Sequence, residues 1–576
     1  MERRRLLGAG LALAGAGLFA DRVAGAVART YPKPGSVAWP AQADWKGLFD
    51  EIGGRLAPMA PADLSDPATK ALITNPFYVG EHPALTQSSG WLDAWRSSPS
   101  AYVVAAESAA DVAAAVRFAR AHGVRLVVRG GGHSYLGCSN APDSLMVWTR
   151  RMSAITVHDA FTPVGSTAEP APAVSVGSGA IWLHAYQAVT GGAGRYVQGG
   201  GCTTVGVAGL VQGGGFGSYS KRYGTAAGSL LEAEVVTADG QTRIVNHVRE
   251  PDLYWALKGG GGGTFGVVTR LTLRTHELPA TFGGANLTIH AKSDDAFRRL
   301  LARFVDHYAT NLCNPHWGEQ VRATPSNKLV VEMVFQGLTA EAARAAWKPL
   351  IDFANASPAD YEGQNAMLAL AAPARSFWDA DFLEKNLPPA IVLDRQPGAS
   401  PTDYWWRGDG DQVGVFWLAY QSAWLPDSLL QGAGQARLAD AWFQASRHWP
   451  VSFHFNKGLA GAPPEAIEAA RDTATNPQML SAFALAIIAD ADPPAFDALT
   501  PLAPDARARA DRVAAAMKAL RACAPDAGAY VNECDYFQAD WRSAFWGLNY
   551  ERLARIKRRY DPGGLFTVHH GVGAEA

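Results

Sequence analysis

Glycine gathers in three places in the first half of the chain, at 130–132, 199–217 and 259–266, and each cluster lies beside a β-branched run. Backbone without side chains can take positive φ and bring its N–H groups close to a ligand, above all a pyrophosphate. None of the three follows a standard nucleotide template. Gly215-Phe216-Gly217-Ser218-Tyr219-Ser220 lacks the last glycine of GxGxxG, and no cluster runs into Lys-Ser/Thr as a P-loop does. Each cluster alone reads as turn chemistry. Three of them alternating with strands point to a ligand the size of a nucleotide.

The same region carries legible elements. Ser108, followed by Asp111, opens a helix on which Val112, Ala115, Val116 and Ala119 recur at helical spacing up to a capping Gly123. A short strand is expected over 124–129, cut off by Gly130. A hairpin folds at Asp239-Gly240 within 231–245. After the third cluster, Val267, Thr269, Leu271, Leu273 and Thr275 alternate against Val268, Arg270, Thr272 and Arg274, the pattern of a half-buried strand. From about residue 280 strands and helices mix, up to a helix over 507–521. A last helix with Leu553, Ile556 and Tyr560 on one face stops at Asp561-Pro562. Residues 27–99 are rich in Pro and small residues and read as an irregular lead-in.

Composition excludes some function classes. The 51 Lys+Arg against 53 Asp+Glu leave a net charge of −2 over 576 residues, so nothing points to nucleic acid. Five cysteines make no disulfide scaffold in so long a chain, and without a CxxC pair no metal is expected. At the start, Arg3-Arg4-Arg5 precede Leu6-Leu7, an apolar run reaches Ala20, and Ala24-Gly25-Ala26 offers a cleavage site. Twin arginines before leucines resemble a Tat signal, with the Tat export machinery as partner and a periplasmic or secreted location as outcome. An ordinary Sec signal remains open. The run is shorter than the ~20 residues of a spanning helix, and later apolar runs are broken by charges, Gly or Pro, so no stable membrane span is expected.

Four motifs then occur in order: Arg129-Gly130-Gly131-Gly132-His133-Ser134-Tyr135-Leu136-Gly137; Gly201-Cys202-Thr203-Thr204-Val205-Gly206-Val207-Ala208-Gly209 with Gly213-Gly214-Gly215-Phe216-Gly217; Tyr530-Val531-Asn532; and Asn549-Tyr550-Glu551-Arg552-Leu553 running on to Tyr560-Asp561-Pro562. Together they resemble the berberine-bridge-enzyme-like FAD-linked oxidases of the vanillyl-alcohol-oxidase superfamily, over about 95–279 and again over about 530–573. The resemblance implies an α+β chain: a two-subdomain FAD-binding domain of the p-cresol methylhydroxylase type and an inserted α+β substrate domain, an antiparallel sheet backed by helices. The divisions it suggests are a signal at 1–26, a lead-in at 27–94, the FAD-binding domain at 95–279, the substrate domain at 280–524 and a returning tail at 525–576.

The resemblance also assigns roles. His133 corresponds to the histidyl attachment point at the flavin 8α-methyl and Cys202 to the cysteinyl attachment point at C6, which implies bicovalent FAD. Imidazole nitrogen and thiolate are both nucleophiles toward an electron-poor ring. The remaining cofactor-binding candidates are Arg129, Gly130, Gly131, Gly132, Ser134, Gly201, Thr203, Val205, Gly206, Gly209, Gly213, Gly214, Gly215, Gly266, Val267, Tyr530 and Asn532. Leu210 departs from the family, which often has His there at the flavin pyrimidine edge. With Cys202 set aside, Cys138, Cys313, Cys523 and Cys534 allow at most two disulfides, in any of three pairings.

For catalysis the candidates are Tyr135, two residues after His133; Tyr530 in the Tyr-x-Asn motif; and His454, which strand alternation places on one face with Ser452 and Asn456. A tyrosinate base would need a cationic neighbour. Tyr404-Trp405-Trp406, Phe416-Trp417, Tyr420 and Trp424 suggest an aromatic wall for a small-molecule substrate. The expected activity is an oxidase moving hydride from an alcohol, sugar or phenol to flavin N5, with O₂ as electron acceptor and H₂O₂ as product. A dehydrogenase using a quinone or cytochrome, and a flavin-carrying binding protein without turnover, remain as alternatives.

Overall fold

A computed structural model describes residues 30–363, 365–496 and 502–574. The export signal expected at 1–26 lies outside the described residues. Three main sheets organise the chain.

The first is four-stranded, in the order Leu56–Pro58, Tyr102–Ala105, Ser144–Trp148, Arg125–Arg129, with its last three strands parallel. Parallel strands need a covered face, and the helix Ala109–His122 supplies it: Val112, Ala115, Val116 and Ala119 pack with Val104, Leu126, Leu145 and Val147. Local chemistry fixes both helix ends. The Ser108 hydroxyl accepts from the Asp111 N–H, the Asp111 carboxylate accepts from the Ser108 N–H, and Gly123 closes the end in the left-handed region at φ 66°.

The second sheet runs Thr242–Asn246, Leu230–Val236, Val267–Glu277, Ala171–Gly177, Ile155–Phe161, and is antiparallel throughout. Gly240, at φ 78°, turns the hairpin between its first two strands. The alternation expected for the strand Val267–Glu277 holds on one face, where Val267, Thr269, Leu271, Leu273 and Thr275 are all buried, and fails in part on the other. Val267 packs into the core of the first sheet and Val268 into that of the second. On the expected solvent face Val268 and Thr272 are buried as well, the Thr272 hydroxyl bonding to Ser175, while the Thr269 hydroxyl on the inner face bonds to Glu234. This strand is central, and of the expected solvent face only Arg270 and Arg274 are exposed.

The third sheet has nine strands, from Leu368–Pro373 at one edge through Thr281–His290, Lys328–Gln336, Trp317–Ala323, Val451–His454, Ala482–Asp492 and Val415–Pro426 to Ser88–Trp91 and Trp95–Arg96. The helices Asp294–His307, Ala340–Asn355, Ala433–Ser446 and Ala506–Arg521 bury Phe304, Trp347, Trp442 and Met517 in the core that backs it. At the end of the chain, Leu553, Ile556 and Tyr560 of the helix Tyr550–Tyr560 return to the core of the second sheet.

The lead-in is more ordered than its composition suggests. It contributes the helix Gln42–Glu51, whose Trp45 stacks on Tyr102 at 4.0 Å, one edge strand of the first sheet and two of the third. Short strands of three, four and two residues carry no periodic signal and exist through their partners. All five cysteines are free, so none of the pairings the count allows is formed; Cys523 and Cys534 donate instead to nearby carbonyls. No helix among the described residues is long and apolar enough to cross a membrane.

The capping box yields a stability prediction. Ser108→Ala is expected to cost about 1 kcal/mol, read as a lower urea midpoint with unchanged slope.

Candidate active site

The strand Arg125–Arg129 ends at Gly130, and the turn after it runs directly against the backbone at 204–206. A Cβ on Gly131 would lie 2.8 Å from the Gly206 nitrogen and 3.0 Å from the Thr204 carbonyl oxygen. Only a bare backbone fits there. The contact sets His133 and Cys202 on the wall of one cavity of about 1340 Å³. Gly261, Gly262, Gly263 and Gly266 of the third glycine cluster line it too, and the third sheet adds Gln320, Trp417, Ser452 and His454.

Most of the predicted site residues meet at this cavity: Gly130, Gly131, Gly132, His133, Ser134, Tyr135, Gly201, Cys202, Val205, Gly206, Gly209, Gly266, His454, Tyr530 and Asn532 all line it. Six do not. Arg129 turns away and donates to the Val79 and Pro83 carbonyls at 2.9 and 2.7 Å, so it clamps the lead-in. Thr203 and Val267 are buried outside the wall, Val267 because it belongs to the core. Gly213, Gly214 and Gly215 instead seat the C-terminal segment. A Cβ on Gly213 would collide with Asn532, Gly214 lies against Thr475 and Tyr530, and the Gly215 N–H donates to the Tyr530 hydroxyl at 3.2 Å. Leu210 lines the cavity where the family often has His.

The expected acid–base groups are poorly placed for that work. Burial pushes the Tyr135 and Tyr530 phenols up, and nearby Glu533 adds to the shift in both. Neither has the cation a tyrosinate requires. Tyr530 also accepts a 3.0 Å bond from Asn532, so its lone pairs are occupied. His454 is held well below its ordinary value by burial, with Lys457 and Arg322 reinforcing it, and stays neutral. The strand carrying it ends at His454; Asn456 and Lys457 follow in a turn, yet both still reach the cavity.

Carboxylates that the sequence did not single out occupy the acid–base positions. Burial raises Asp409 to about 6, against the opposing influence of Cys202 and the Thr203 backbone, and its Oδ2 has no hydrogen-bond partner. Glu319 Oε1 accepts from Ser218 Oγ at 2.5 Å and from Asn456 Nδ2 at 3.3 Å. Its backbone is left-handed at φ 65°, which strains a residue other than glycine. Glu533 pairs with Lys457. Asp409 sits in the short helix Arg407–Gly410, where no periodicity marks it, and Glu319 reads as one more polar residue of a strand. Only Glu533, adjoining the Tyr-x-Asn motif, had a sequence signal nearby.

FAD fits this wall. The volume exceeds the roughly 300–1,000 Å³ of ordinary small-molecule pockets. Ser178 Oγ, Gln212 Oε1, the Tyr219 hydroxyl and Asn456 Oδ1, all of residues lining the cavity, are buried without partners. The family described as "FAD binding domain" matches residues 99–246, and the one described as "Berberine and berberine like" matches residues 529–573. The chain is 31% identical to the FAD-linked oxidoreductase penH of Penicillium thymicola, over 82% of this chain and 76% of that relative. The chain belongs to the FAD-linked oxidoreductases.

Similarity to other members of this family extends over nearly the whole length. The VAO-type flavoprotein oxidase VAO615 of Thermothelomyces thermophilus is 29% identical, over 94% of this chain and 92% of the relative. The crystal structure of the VAO-type flavoprotein MtVAO615 from Myceliophthora thermophila C1 superposes with a TM-score of 0.76 at 27% identity, covering 95% of this chain and 97% of that one. Glucooligosaccharide oxidase from Acremonium strictum shares the fold, with a TM-score of 0.63 at 21% identity over 83% of this chain and 92% of the other. The α+β fold is thus that of the VAO and p-cresol methylhydroxylase flavoproteins.

The glycine contact is directly testable. Gly131→Ala forces the two turns apart, so the purified FAD-linked oxidoreductase should lose most of its yellow colour while its far-UV circular dichroism stays near wild type.

Proposed function

We propose that this FAD-linked oxidoreductase is an exported oxidase that removes a hydride from an alcohol, sugar or phenolic substrate, uses O₂ as electron acceptor, and carries its FAD on His133 and Cys202. The observation that carries the reading is the convergence of both nucleophiles on one cavity from separate glycine turns. Burial holds His133 at about 4, so its imidazole is neutral and its ring nitrogen has a free electron pair at neutral pH. The oxidase relatives support O₂ as acceptor, and the FAD of glucooligosaccharide oxidase is described as 6-S-cysteinyl, 8α-N1-histidyl. The arginine pair and apolar run at the amino terminus support export through the Tat route.

The backbone of 130–134, 200–202 and 204–206, with Gly261, Gly262 and Gly263, would hold the FAD. When bound, FAD supplies a two-electron acceptor and a route for the electron pair to O₂. The chain's own residues handle the proton. Asp409 is ionised at pH 7, has a free oxygen inside the cavity, and takes the substrate hydroxyl proton on Oδ2. Trp417, Tyr420 and Tyr135, with ring centroids 4.7–5.2 Å apart, form an apolar wall that excludes water. Lys457 neutralises Glu533, and Glu319 offers a polar edge for further hydroxyls.

Acid precipitation tests the linkage. Colour should stay with the pellet in wild type and in each of His133→Ala and Cys202→Ala, and leave only in the double variant. Colour washing out of wild type would overturn covalent attachment. Substrate panels with peroxide detection test the oxidase, which slow reoxidation of the reduced protein by O₂ would overturn.

The proton acceptor sets the pH profile. Asp409 works only when ionised, so kcat/KM should be level above about pH 6 and drop about tenfold per unit below it. Asp409→Asn should lower kcat by about 10²–10⁴-fold and remove that limb of the profile.

A further inference from the structure

We propose that Asp409 is also the proton acceptor through which Cys202 forms its thioether bond to the flavin. The inference rests on the covalent reading of Cys202 given above and concerns how that bond is made.

The environment of Cys202 is unusual for a nucleophilic thiol. Reactive cysteines are ordinarily ionised by a neighbouring cation or a helix amino terminus. Here burial holds the thiol protonated, and Asp409 and Glu319 both reinforce this. The one cation with an opposing effect is Lys457, already tied to Glu533. Attack by sulfur therefore needs a group that removes the thiol proton as the bond forms.

Three groups near the thiol could be considered. His133 is taken up by its own attachment and bonds to Thr204 Oγ1 at 3.1 Å. Glu319 presents Oε1 to Ser218 and Asn456, and that oxygen lies beside Gly201, 3.7 Å from where a Cβ there would be. Asp409 differs from both: it lines the same cavity as Cys202, is the charge that acts most strongly on the thiol, and its Oδ2 is buried with no hydrogen-bond partner. An unpartnered carboxylate oxygen and the thiol thus share one wall.

The chemistry balances. The thiol proton passes to Asp409 as the sulfur electron pair forms the S–C6 bond. The C6 hydrogen leaves as a proton, and the ring is left two electrons reduced, with two protons gained. Dioxygen, the oxidant this step needs, takes up the pair and both protons as H₂O₂ and restores the oxidised ring. Asp409 returns its proton to water and is then free for the substrate. One carboxylate serves both the maturation of the enzyme and its turnover.

The test follows linkage rather than turnover. Full-length protein produced with limiting flavin is incubated aerobically with FAD and digested, and flavin mass is followed on the Cys202 and His133 peptides separately. In Asp409→Asn at pH 7 the Cys202 peptide should gain flavin about 10²–10⁴-fold more slowly than in wild type, while the His133 peptide gains it at the wild-type rate. Raising the pH, which lets hydroxide remove the thiol proton, should restore much of the Cys202 rate in the variant. Wild-type linkage at Cys202 in the variant would overturn the proposal. So would equal loss at both peptides, the sign of a turn that merely holds the pocket in shape. Absence of flavin from the Cys202 peptide of wild type would overturn the covalent reading itself, a different result from either.

Discussion

Two turns of peptide backbone touch at Gly131 and Gly206, with no room for one carbon atom between them. That contact is what makes a site out of three sheets. It brings the end of a parallel strand in the first sheet to a loop of the second, so that an imidazole and a thiol distant in sequence face one space. The remaining glycines divide the labour. Some line the cavity, while 213–215 leave it and grip Asn532 and Tyr530, fastening the tail of the chain over the site.

The polar character of the cavity follows from burial. Phenols and imidazoles removed from water are held neutral, because burial penalises their charged forms more than their neighbours favour them. Carboxylates respond to the same burial by moving toward neutrality, which brings Asp409 into the range useful for proton transfer. Acid–base work thus falls to the residue type whose ordinary value lies furthest below it. The left-handed backbone at Glu319, in a strand where an extended conformation would be relaxed, stores strain for the same site.

Local chemistry was legible in the sequence and long-range pairing was not. The helix at 109–122 carries its own cap, capping box and stripe, so its bounds were readable from Ser108 and Gly123. The hairpin at Gly240 was equally local. The strand at 267–277 misled on one face only, where Val268 packs into a second core and Thr272 is buried by bonding sideways to Ser175, which no alternation encodes. His133 and Cys202 stood out through their motifs, whereas Asp409 did not. A lone aspartate between two glycines is indistinguishable from any surface turn until the opposite wall is known. Arg129 shows the converse error: it lies inside a cofactor motif, yet its side chain serves the carbonyls of the lead-in.

The lead-in has a consequence for how the molecule could be taken apart. Its strand Leu56–Pro58 edges the first sheet, while Ser88–Trp91 runs parallel to Val415–Pro426 in the third and Trp95–Arg96 closes that edge. One stretch of chain therefore stitches the cofactor layer to the layer that covers it, ahead of either in the sequence. Exchanging the covering layer between relatives by cutting at 280 and 524 would strand two of its nine strands on the wrong side of the graft and expose the Val415–Pro426 edge. A chimera that also carries 84–97 keeps that sheet whole, so the natural unit of recombination here is discontinuous, four cuts rather than two being the minimum that respects its hydrogen bonds.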